Sequence, residues 1–336
     1  MLRTVRKLPA PKELREAMPL SDTSVHNRDN AVRAIRDILD GKDKRKLFIV
    51  GPCSADNADA VCDYAVRLAA VAEAVKNKIF IVMRVYTAKT RTRGDGYLGL
   101  IHHADKNGMI DLAAGLAAAR GLHIRVMRES GLCTADELVY TDAVDHLSDV
   151  VCYAAVGART SDDPMHRFIA SGLDIPVGIK NPPDGNGDEL IGSVDTARSP
   201  NAFMYRGEQV QTDGNAYAHA VLRGAVDRSG EHLPNYGYDD VLRLAARCGG
   251  VMIDAGHSNS GKDADRQADV VDDVLTAAAS LPEYDAAVKG IMLESYLKDG
   301  NQPLGGGEYG KSVTDACLGI EKTERLLLSA AERIVT

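Results

Sequence analysis

The chain has 336 residues, and its 40 Lys and Arg against 48 Asp and Glu give a formal net charge of −8. A hydrophobic fraction of 45% and a charged fraction of 26% are ordinary for a globular protein. These values exclude a wholly disordered chain, a collagen and a short disulfide-stapled scaffold. The acidic balance argues against nucleic acid or a membrane surface as a partner.

The N-terminal region differs from the rest of the chain. Pro9, Pro11 and Pro19 interrupt an irregular arm, and His26–Leu39 then has the pattern of a helix that ends before Gly41. We therefore predict an N-terminal arm and helix over residues 1–45, which caps the barrel floor or docks on a neighbouring subunit. Residues 46–336 form the predicted catalytic domain.

Short apolar, β-branched runs recur along that domain with helical patterns between them. The predicted strands are Leu47–Val50, Ile79–Val85, His123–Val126, Val150–Ala154, Ile175–Ile179, Ala202–Tyr205, Gly250–Ile253 and Gly290–Leu293. The predicted helices are Ala58–Ala74, Asp136–Leu147, Met165–Ser171, Asn215–Arg228, Tyr238–Cys248, Lys262–Leu281 and Ser312–Ile334. Such alternation, without a glycine-rich turn after the first strand, favours an α/β fold of the TIM (β/α)8 barrel type over a doubly wound sheet.

The cysteine pattern and the apolar segments indicate the cellular compartment of the protein. The six cysteines form no C-x-x-C pair and no zinc-ribbon spacing. The N-terminus lacks the apolar run of a signal peptide, and no apolar stretch reaches the length of a transmembrane helix. We therefore expect a cytoplasmic protein with reduced thiols.

Potential metal ligands follow several predicted strands, at the barrel end where active sites of this fold lie. Cys53 follows the first strand, His257 the seventh and Glu294 the eighth, with Asp315 further along. Sulfur, nitrogen and oxygen donors together suit a divalent transition metal better than magnesium or calcium. Each residue also has a plainer interpretation, since Cys53 could be a small core residue, His257 a core histidine, and the two acids a salt bridge and a helix cap.

A second group of side chains at the same barrel end is cationic. Its members are Arg84, Lys89, Arg91, Arg159, Lys180 and Arg223. An unpaired charge beside a buried strand is costly, and a strongly anionic ligand would remove that cost. The alternative is a set of surface ion pairs in an acidic protein. The two groups together predict a metal-assisted barrel enzyme that acts on phosphorylated small molecules.

The residues of both groups also carry a family resemblance. The matching stretches are GPCS (51–54), MRVY with K-x-R-T (83–92), GARTSDDPMHRFIASGLDIPVGIKN (157–181), LRG (222–224), MIDAGHSNSGK (252–262), MLESYLKDGNQ (292–302) and YGKSVTDACLG (309–319). In this order they resemble the type I 3-deoxy-D-arabino-heptulosonate 7-phosphate (DAHP) synthases, the first enzymes of the shikimate pathway. The resemblance implies a TIM barrel that condenses phosphoenolpyruvate with erythrose 4-phosphate and water, giving DAHP and phosphate.

The resemblance also assigns roles to single residues. It implies one divalent metal ion (Mn, Fe, Co or Zn) held by Cys53, His257, Glu294 and Asp315. It implies a phosphoenolpyruvate site formed by Arg84, Lys89, Arg159, Lys180, Arg223 and Ala158, with Glu137 nearby. Arg91 and Thr92 would hold the phosphate of erythrose 4-phosphate. Lys89 is the expected proton donor to the alkoxide, and Glu137 the expected aid to water addition.

The chain departs from the family pattern in the segment that touches the aldehyde. K-P-R-T-T followed by Gly-Trp-Lys-Gly is replaced by the run from Lys89 to Gly99, without the proline and the tryptophan. Three alternatives therefore stay open: a phosphoenolpyruvate-dependent enzyme that uses another aldehyde, for example in secondary metabolism, another metal-dependent barrel enzyme such as a hydrolase, and a non-catalytic metabolite-binding paralogue. The resemblance further implies a homodimer or homotetramer. It leaves an aromatic amino acid effector open, because Tyr140 and Asp174 stand where other residue types are expected.

Overall fold

The computed structural model describes residues 1–90, 96–104 and 110–335. Its helices are α1 (Pro11–Ala17), α2 (Asp22–Leu39), α3 (Ala58–Val75), α4 (Leu112–Ser130), α5 (Val144–Leu147), α6 (Pro164–Ser171), α7 (Gly187–Arg198), α8 (Tyr238–Cys248), α9 (Arg266–Ser280), α10 (Pro282–Ala287) and α11 (Ile320–Arg333), with a 3-10 turn at Thr141–Ala143. Its strands are β1 (Lys46–Gly51), β2 (Ile79–Arg84), β3 (Thr134–Glu137), β4 (Tyr153–Val156), β5 (Val177–Lys180), β6 (Asn201–Tyr205), β7 (Glu208–Thr212), β8 (Ala218–Leu222), β9 (Ala225–Val226), β10 (His232–Leu233), β11 (Val251–Asp254), β12 (Val288–Tyr296) and β13 (Leu318–Gly319).

Eight of these strands close into a parallel barrel. Their order is β1, β2, β3, β4, β5, β8, β11 and β12, and β12 pairs back onto β1 with Leu47 opposite Gly290. The barrel strands are short and almost wholly buried, as parallel strands covered by helices on the outside must be. The predicted TIM (β/α)8 barrel is confirmed.

Two of the eight predicted strands are not strands of the barrel. The run His123–Val126 lies inside α4, which begins at the N-cap Asp111 and ends at Gly131 in the left-handed conformation. The third barrel strand is Thr134–Glu137, so the helix predicted over 136–147 is wrong in its first half. A four-residue apolar run does not distinguish a strand from one face of a buried helix. Thr134 and Asp136 are polar but buried, so the true strand has no apolar pattern in the sequence.

The second error concerns the sixth strand. Ala202–Tyr205 lies in β6, which pairs with β7 as an antiparallel hairpin outside the barrel. Its turn residues Arg206 and Gly207 both have positive φ, as a two-residue hairpin turn of type I′ requires. The sixth barrel strand is Ala218–Leu222, within the segment predicted as a helix over 215–228. Its sequence, Ala-His-Ala-Val-Leu, is too short to distinguish a buried strand from a helix by periodicity.

The N-terminal helices pack beside the segment that leads into β4. Helix α2 begins at the N-cap Ser21, whose hydroxyl accepts from the backbone N–H of Ser24. From this helix the guanidinium of Arg28 donates to the carbonyl oxygens of Val151 and Ser148. These contacts lie ahead of the start of β4, opposite the end where polar residues follow the strands. Among the described residues, the helices are all too short or too polar to cross a bilayer.

Candidate active site

A polar cavity of about 360 Å³ opens at the C-terminal ends of the barrel strands. Its lining residues are Cys53, Lys89, Thr90, Glu137, Ala158, Arg159, Lys180, Pro183, Arg223, Val226, His257, Lys262, Thr314 and Asp315. Nine of the side chains singled out from the sequence thus share one cavity. Two more, Arg84 and Glu294, are fully buried and hydrogen-bonded to each other, next to it. Arg91 and Thr92 lie outside the described residues.

A group of metal-type ligands forms one side of this cavity. The Cys53 thiol and the carboxylates of Glu294 and Asp315 offer ligand atoms that all lie within 4.8 Å of one another. His257 is outside this group, but its Nε2 is 4.0 Å from Oε1 of Glu294. Its Nδ1 is 3.0 Å from the Asp254 carboxylate, the arrangement that orients metal-binding histidines. Three of the four predicted metal ligands therefore lie close together, and the fourth, His257, lies next to one of them.

Contacts between distant segments bring these ligands together. The Ser54 hydroxyl lies 2.9 Å from that of Thr314, and the backbone N–H of Cys53 donates to Sγ of Cys317. These two bonds join the segment after β1 to the segment before β13. Gly51 permits the close approach of β1 to β2, because a Cβ there would meet the carbonyl oxygen of Arg84 at 2.4 Å.

The Cys53 thiol sits in surroundings that disfavour its charged form. Burial raises the pKa of Cys53 to about 11, and the negative charge of Glu294 raises it as well. A thiolate at this position needs a compensating cation, and a divalent metal displaces thiol protons when it binds. The mixed thiol, carboxylate and imidazole donors fit a divalent transition metal.

Arg84 and Glu294 form a fully buried ion pair beneath the cavity. Nη2 of Arg84 donates to Oε1 of Glu294 at 2.7 Å and to the carbonyl of Cys53, while Nε donates to the carbonyl of Pro52. Burial alone would lower the pKa of Arg84, but Glu294 and Tyr86 shift it upward overall. Its buried Nη1 has no hydrogen-bond partner among the described residues. An unsatisfied buried guanidinium nitrogen is costly unless a ligand accepts from it.

A second buried pair lies across the cavity. Nζ of Lys180 is 2.8 Å from the Asp254 carboxylate, and both side chains are nearly inaccessible. Burial raises the pKa of Asp254, but Lys180 and His257 lower it well below its usual range overall. Beside this pair, the buried Nη1 of Arg223 also lacks a partner in the part of the chain that the structure covers. Arg159 stands at the exposed rim.

Lys89 and Glu137 complete the predicted set. Burial lowers the pKa of Lys89, but Cys53 and Glu137 raise it, so that overall it lies above its usual value and the side chain is a cation at neutral pH. Glu137 ends β3 and reaches the cavity because Gly157 leaves room, since a Cβ at that glycine would lie 2.6 Å from Oε1 of Glu137. The backbone of Lys89 is held by a bond from its N–H to the carbonyl of Leu98.

The altered segment after Lys89 has its own anchor. Tyr97 is buried, and its hydroxyl donates to the carbonyl of Ala55, two residues beyond Cys53. This bond joins the altered run to the segment after β1. Sequence reasoning missed Thr90, Pro183, Val226, Lys262 and Thr314, which line the cavity. For Lys262 a signal existed, because it follows His257 by five residues within a quoted motif.

The fold and this cavity define a (β/α)8-barrel protein with a cation-rich site beside a cluster of transition-metal ligands. Residues 19–328 match the model of the DAHP synthetase I family. The Phe-sensitive phospho-2-dehydro-3-deoxyheptonate aldolase of Escherichia coli K12 is 37% identical over 99% of this chain and 96% of that protein. The Tyr-sensitive form of the same strain is 35% identical over 95% of this chain and 91% of that protein. The chain belongs to the DAHP synthetase I family.

A solved structure supports the same assignment. The phospho-2-dehydro-3-deoxyheptonate aldolase of Francisella tularensis SCHU S4 superposes with a TM-score of 0.91 at 30% identity, over 99% of this chain and 98% of that chain. A Trp-sensitive form from Escherichia coli O157:H7 is 36% identical over 100% of this chain and 98% of that protein. The curated relatives thus include forms that are sensitive to each of three aromatic amino acids.

Proposed function

We propose that this protein is a metal-dependent DAHP synthase, which condenses phosphoenolpyruvate with erythrose 4-phosphate and water and releases DAHP and phosphate. The observation that carries the proposal is the union of two features in one cavity. Cys53, Glu294 and Asp315 cluster at the cavity, and Nη1 of Arg84 and Nη1 of Arg223 are buried there without a hydrogen-bond partner among the described residues. The first feature suits a transition metal, and the second suits a small, strongly charged anion.

Phosphoenolpyruvate binds among the cations of β2, β4, β5 and β8. Arg84 and Arg223 each supply an N–H donor that has no partner in the described part of the chain. Lys180 and Arg159 add positive charge, and Ala158 also lines the cavity. Because Arg84 is held by Glu294 and Lys180 by Asp254, their positions do not depend on the substrate. This arrangement orients the enol so that its carbon 3 faces the metal ligands.

The chain supplies the proton movements of the reaction. As carbon 3 of phosphoenolpyruvate bonds to the aldehyde carbon, Lys89 donates a proton to the oxygen that becomes an alkoxide. Glu137 assists the addition of water at carbon 2, after which the C–O bond to phosphate breaks and phosphate leaves. A divalent metal held by Cys53, His257, Glu294 and Asp315 would polarise the aldehyde carbonyl as a Lewis acid.

The identity of the aldehyde substrate can be tested directly. Phosphoenolpyruvate loss is followed by its enol absorbance, with a panel of phosphorylated aldehydes and added divalent metals. We expect turnover with erythrose 4-phosphate, its loss on chelation and its return with metal. Turnover only with another aldehyde would identify a different condensing enzyme. Tight binding of phosphoenolpyruvate without turnover would identify a metabolite-binding paralogue.

A matched pair of cysteine variants tests the metal site. Cys53→Ala removes the proposed ligand, and Cys62→Ala removes a similarly buried thiol from α3, away from the cavity. We expect metal content after dialysis, measured by elemental analysis, to fall only in Cys53→Ala. Equal metal content in both variants would reject Cys53 as a ligand.

The proposed function also includes feedback inhibition, an oligomeric state and a cellular location. Because relatives are named for sensitivity to phenylalanine, tryptophan or tyrosine, we propose that an aromatic amino acid inhibits this enzyme as well. Inhibition assays with the three amino acids test this, and sedimentation tests the proposed homodimer or homotetramer. Fractionation of cells tests the cytoplasmic location.

A further inference from the structure

Asp136 is a buried carboxylate that links the segments of the two proposed proton-handling residues. It precedes Glu137 on β3, and it is not among the described residues that line the cavity. Its Oδ1 accepts from the backbone N–H of Thr87 at 2.9 Å and from that of Glu137 at 2.7 Å. Its Oδ2 accepts from the Thr87 hydroxyl at 2.6 Å. Because Thr87 lies two residues before Lys89, one carboxylate holds the backbone beside both residues.

These bonds begin where the pairing of β2 with β3 ends. Within the described ranges, the last backbone bond between the two segments runs from the N–H of Val85 to the carbonyl of Ala135. Thr87 and Glu137 each lie two residues further along, where a continued parallel ladder would bond their N–H groups to carbonyl oxygens of the opposite strand. Both N–H groups donate to Asp136 instead. A side chain therefore replaces the ladder at the point where the active-site residues begin.

A histidine completes the surroundings of this carboxylate. His123, on α4, has its Nε2 3.1 Å from Oδ2 of Asp136 and its Nδ1 2.9 Å from the hydroxyl of Thr134, and all three side chains are buried. Because a carboxylate only accepts, Nε2 carries a proton and donates. Four donors thus converge on Asp136. A buried charge costs stability that an apolar side chain would not, and such a cluster behind an active site indicates that its geometry is used.

We propose that Asp136 is a positioning residue for catalysis, which fixes Lys89 and Glu137 relative to each other. This inference rests on the proposed function, in which Lys89 protonates the alkoxide and Glu137 aids the addition of water. Both groups act on the same bound substrates, so a shift of one against the other slows the reaction without removing either group. The cations of β2 and β5 are held by other carboxylates, so phosphoenolpyruvate affinity depends much less on Asp136 than turnover does.

Two substitutions of Asp136 separate its shape from its acceptor atoms. Asp136→Ala removes all four bonds, whereas Asp136→Asn keeps an oxygen that can accept from both backbone N–H groups, as Oδ1 of the aspartate does. We expect Asp136→Ala to lower kcat about ten- to a hundredfold, with the Kd of phosphoenolpyruvate, measured by calorimetry, changed less than about twofold. Asp136→Asn should retain most of the wild-type kcat.

A matched control separates loss of positioning from loss of stability. Asn215 is equally buried and bonds three backbone groups, but it lies ahead of the start of β8, at the barrel end opposite the cavity. Asn215→Ala should keep the wild-type kcat even where its melting temperature falls as far as that of Asp136→Ala. An equal fall of kcat in both alanine variants would show that any destabilised barrel loses turnover, and it overturns the inference.

Variants of Thr87 test the same link if Asp136→Ala does not fold. Thr87→Val removes the hydroxyl that donates to Asp136 and keeps the shape of the side chain, whereas Thr87→Ser keeps the hydroxyl. We expect kcat to fall in Thr87→Val and its solvent deuterium isotope effect to rise, because a misplaced proton donor makes proton transfer limit the rate. Thr87→Ser should restore most of the turnover. A wild-type kcat in Thr87→Val, or a lower kcat with an unchanged isotope effect, overturns the inference.

The wild-type protein distinguishes a failure of this inference from a failure of the proposed function. Wild-type turnover of phosphoenolpyruvate with erythrose 4-phosphate, together with an undiminished kcat in Asp136→Ala, overturns the inference and leaves the proposed function intact. A wild-type protein that turns over no aldehyde with any of the divalent metals refutes the proposed function and this inference with it.

Discussion

We predict that His219 makes the stability of this barrel dependent on pH, because its ring is buried in the neutral form. The ring is fully buried, its Nδ1 lies 2.9 Å from the carbonyl of Tyr217, and its Nε2 lies 2.9 Å from the hydroxyl of Tyr153. Nδ1 therefore donates and Nε2 accepts, which is the neutral ring. Burial lowers the pKa of His219 from 6.5 to about 4.

The unfolded chain binds the proton more readily than the folded one, so acid favours unfolding. The contribution of the neutral His219 ring to the free energy of unfolding is fully present above pH 6.5. It falls as the pH drops below that value and is lost at about pH 4. The difference between the two pKa values corresponds to about 3 kcal/mol, of which roughly 2 kcal/mol disappears between pH 7 and 4.5.

The assay compares the free energy of urea unfolding at pH 7 and pH 4.5 in the wild-type protein and His219→Gln. The other titratable groups are common to both proteins, so their contributions cancel in the comparison. The wild type should lose roughly 2 kcal/mol more than the variant over this range. His26→Gln, at an exposed position on α2, should behave as the wild type. Equal losses in the wild type and His219→Gln would refute the reasoning, and so would a larger loss in the variant.

Three further substitutions have expected outcomes. Lys89→Met should lower turnover by about 10²-fold or more with thermal unfolding unchanged, as loss of a general acid does, and near-normal turnover would reject that role. Gly178→Ala places a Cβ 1.9 Å from the Tyr153 hydroxyl, so calorimetry should show destabilisation by about 1–3 kcal/mol, whereas Gly192→Ala, in open space on α7, should not destabilise. Tyr97→Phe leaves the carbonyl of Ala55 without its donor and should cost about 1 kcal/mol in urea unfolding, an unchanged stability being the contrary result.

The strand predictions succeeded or failed for identifiable physical reasons. Phe48, Ile49 and Val50 are fully buried, so β1 is a continuous apolar run that composition alone reveals. The strand Thr134–Glu137 escaped prediction because it buries Asp136, whose carboxylate accepts from the backbone N–H and the hydroxyl of Thr87 and contacts His123. A strand that buries a polar network has no apolar pattern, and only its partners in space explain its composition.

The candidate site was easier to predict than its internal pairing. The rule that active-site residues follow barrel strands places Cys53, Lys180 and His257 at one end without knowledge of the loops. The same rule does not show that Arg84 and Glu294 bond to each other, or that Lys262 turns back toward His257. The first fact is a tertiary contact between segments far apart in the chain, and the second is a left-handed turn. Sequence spacing encodes neither.

The Arg84–Glu294 pair connects the two halves of the site. The carboxylate of Glu294 accepts from Arg84 through Oε1 while it belongs to the cluster with Cys53 and Asp315. A buried pair of this kind does not by itself stabilise a fold, because desolvation offsets the attraction. Removing one partner, however, leaves the other as an unpaired buried charge. Loss of Glu294 would therefore disturb the anion-binding Arg84 as well as the metal ligands. The net charge of −8 is that of the whole chain. At the site, Arg84 and Lys180 are each paired with a buried carboxylate, whereas the buried Nη1 atoms of Arg84 and Arg223 have no partner among the described residues and are left for the substrates.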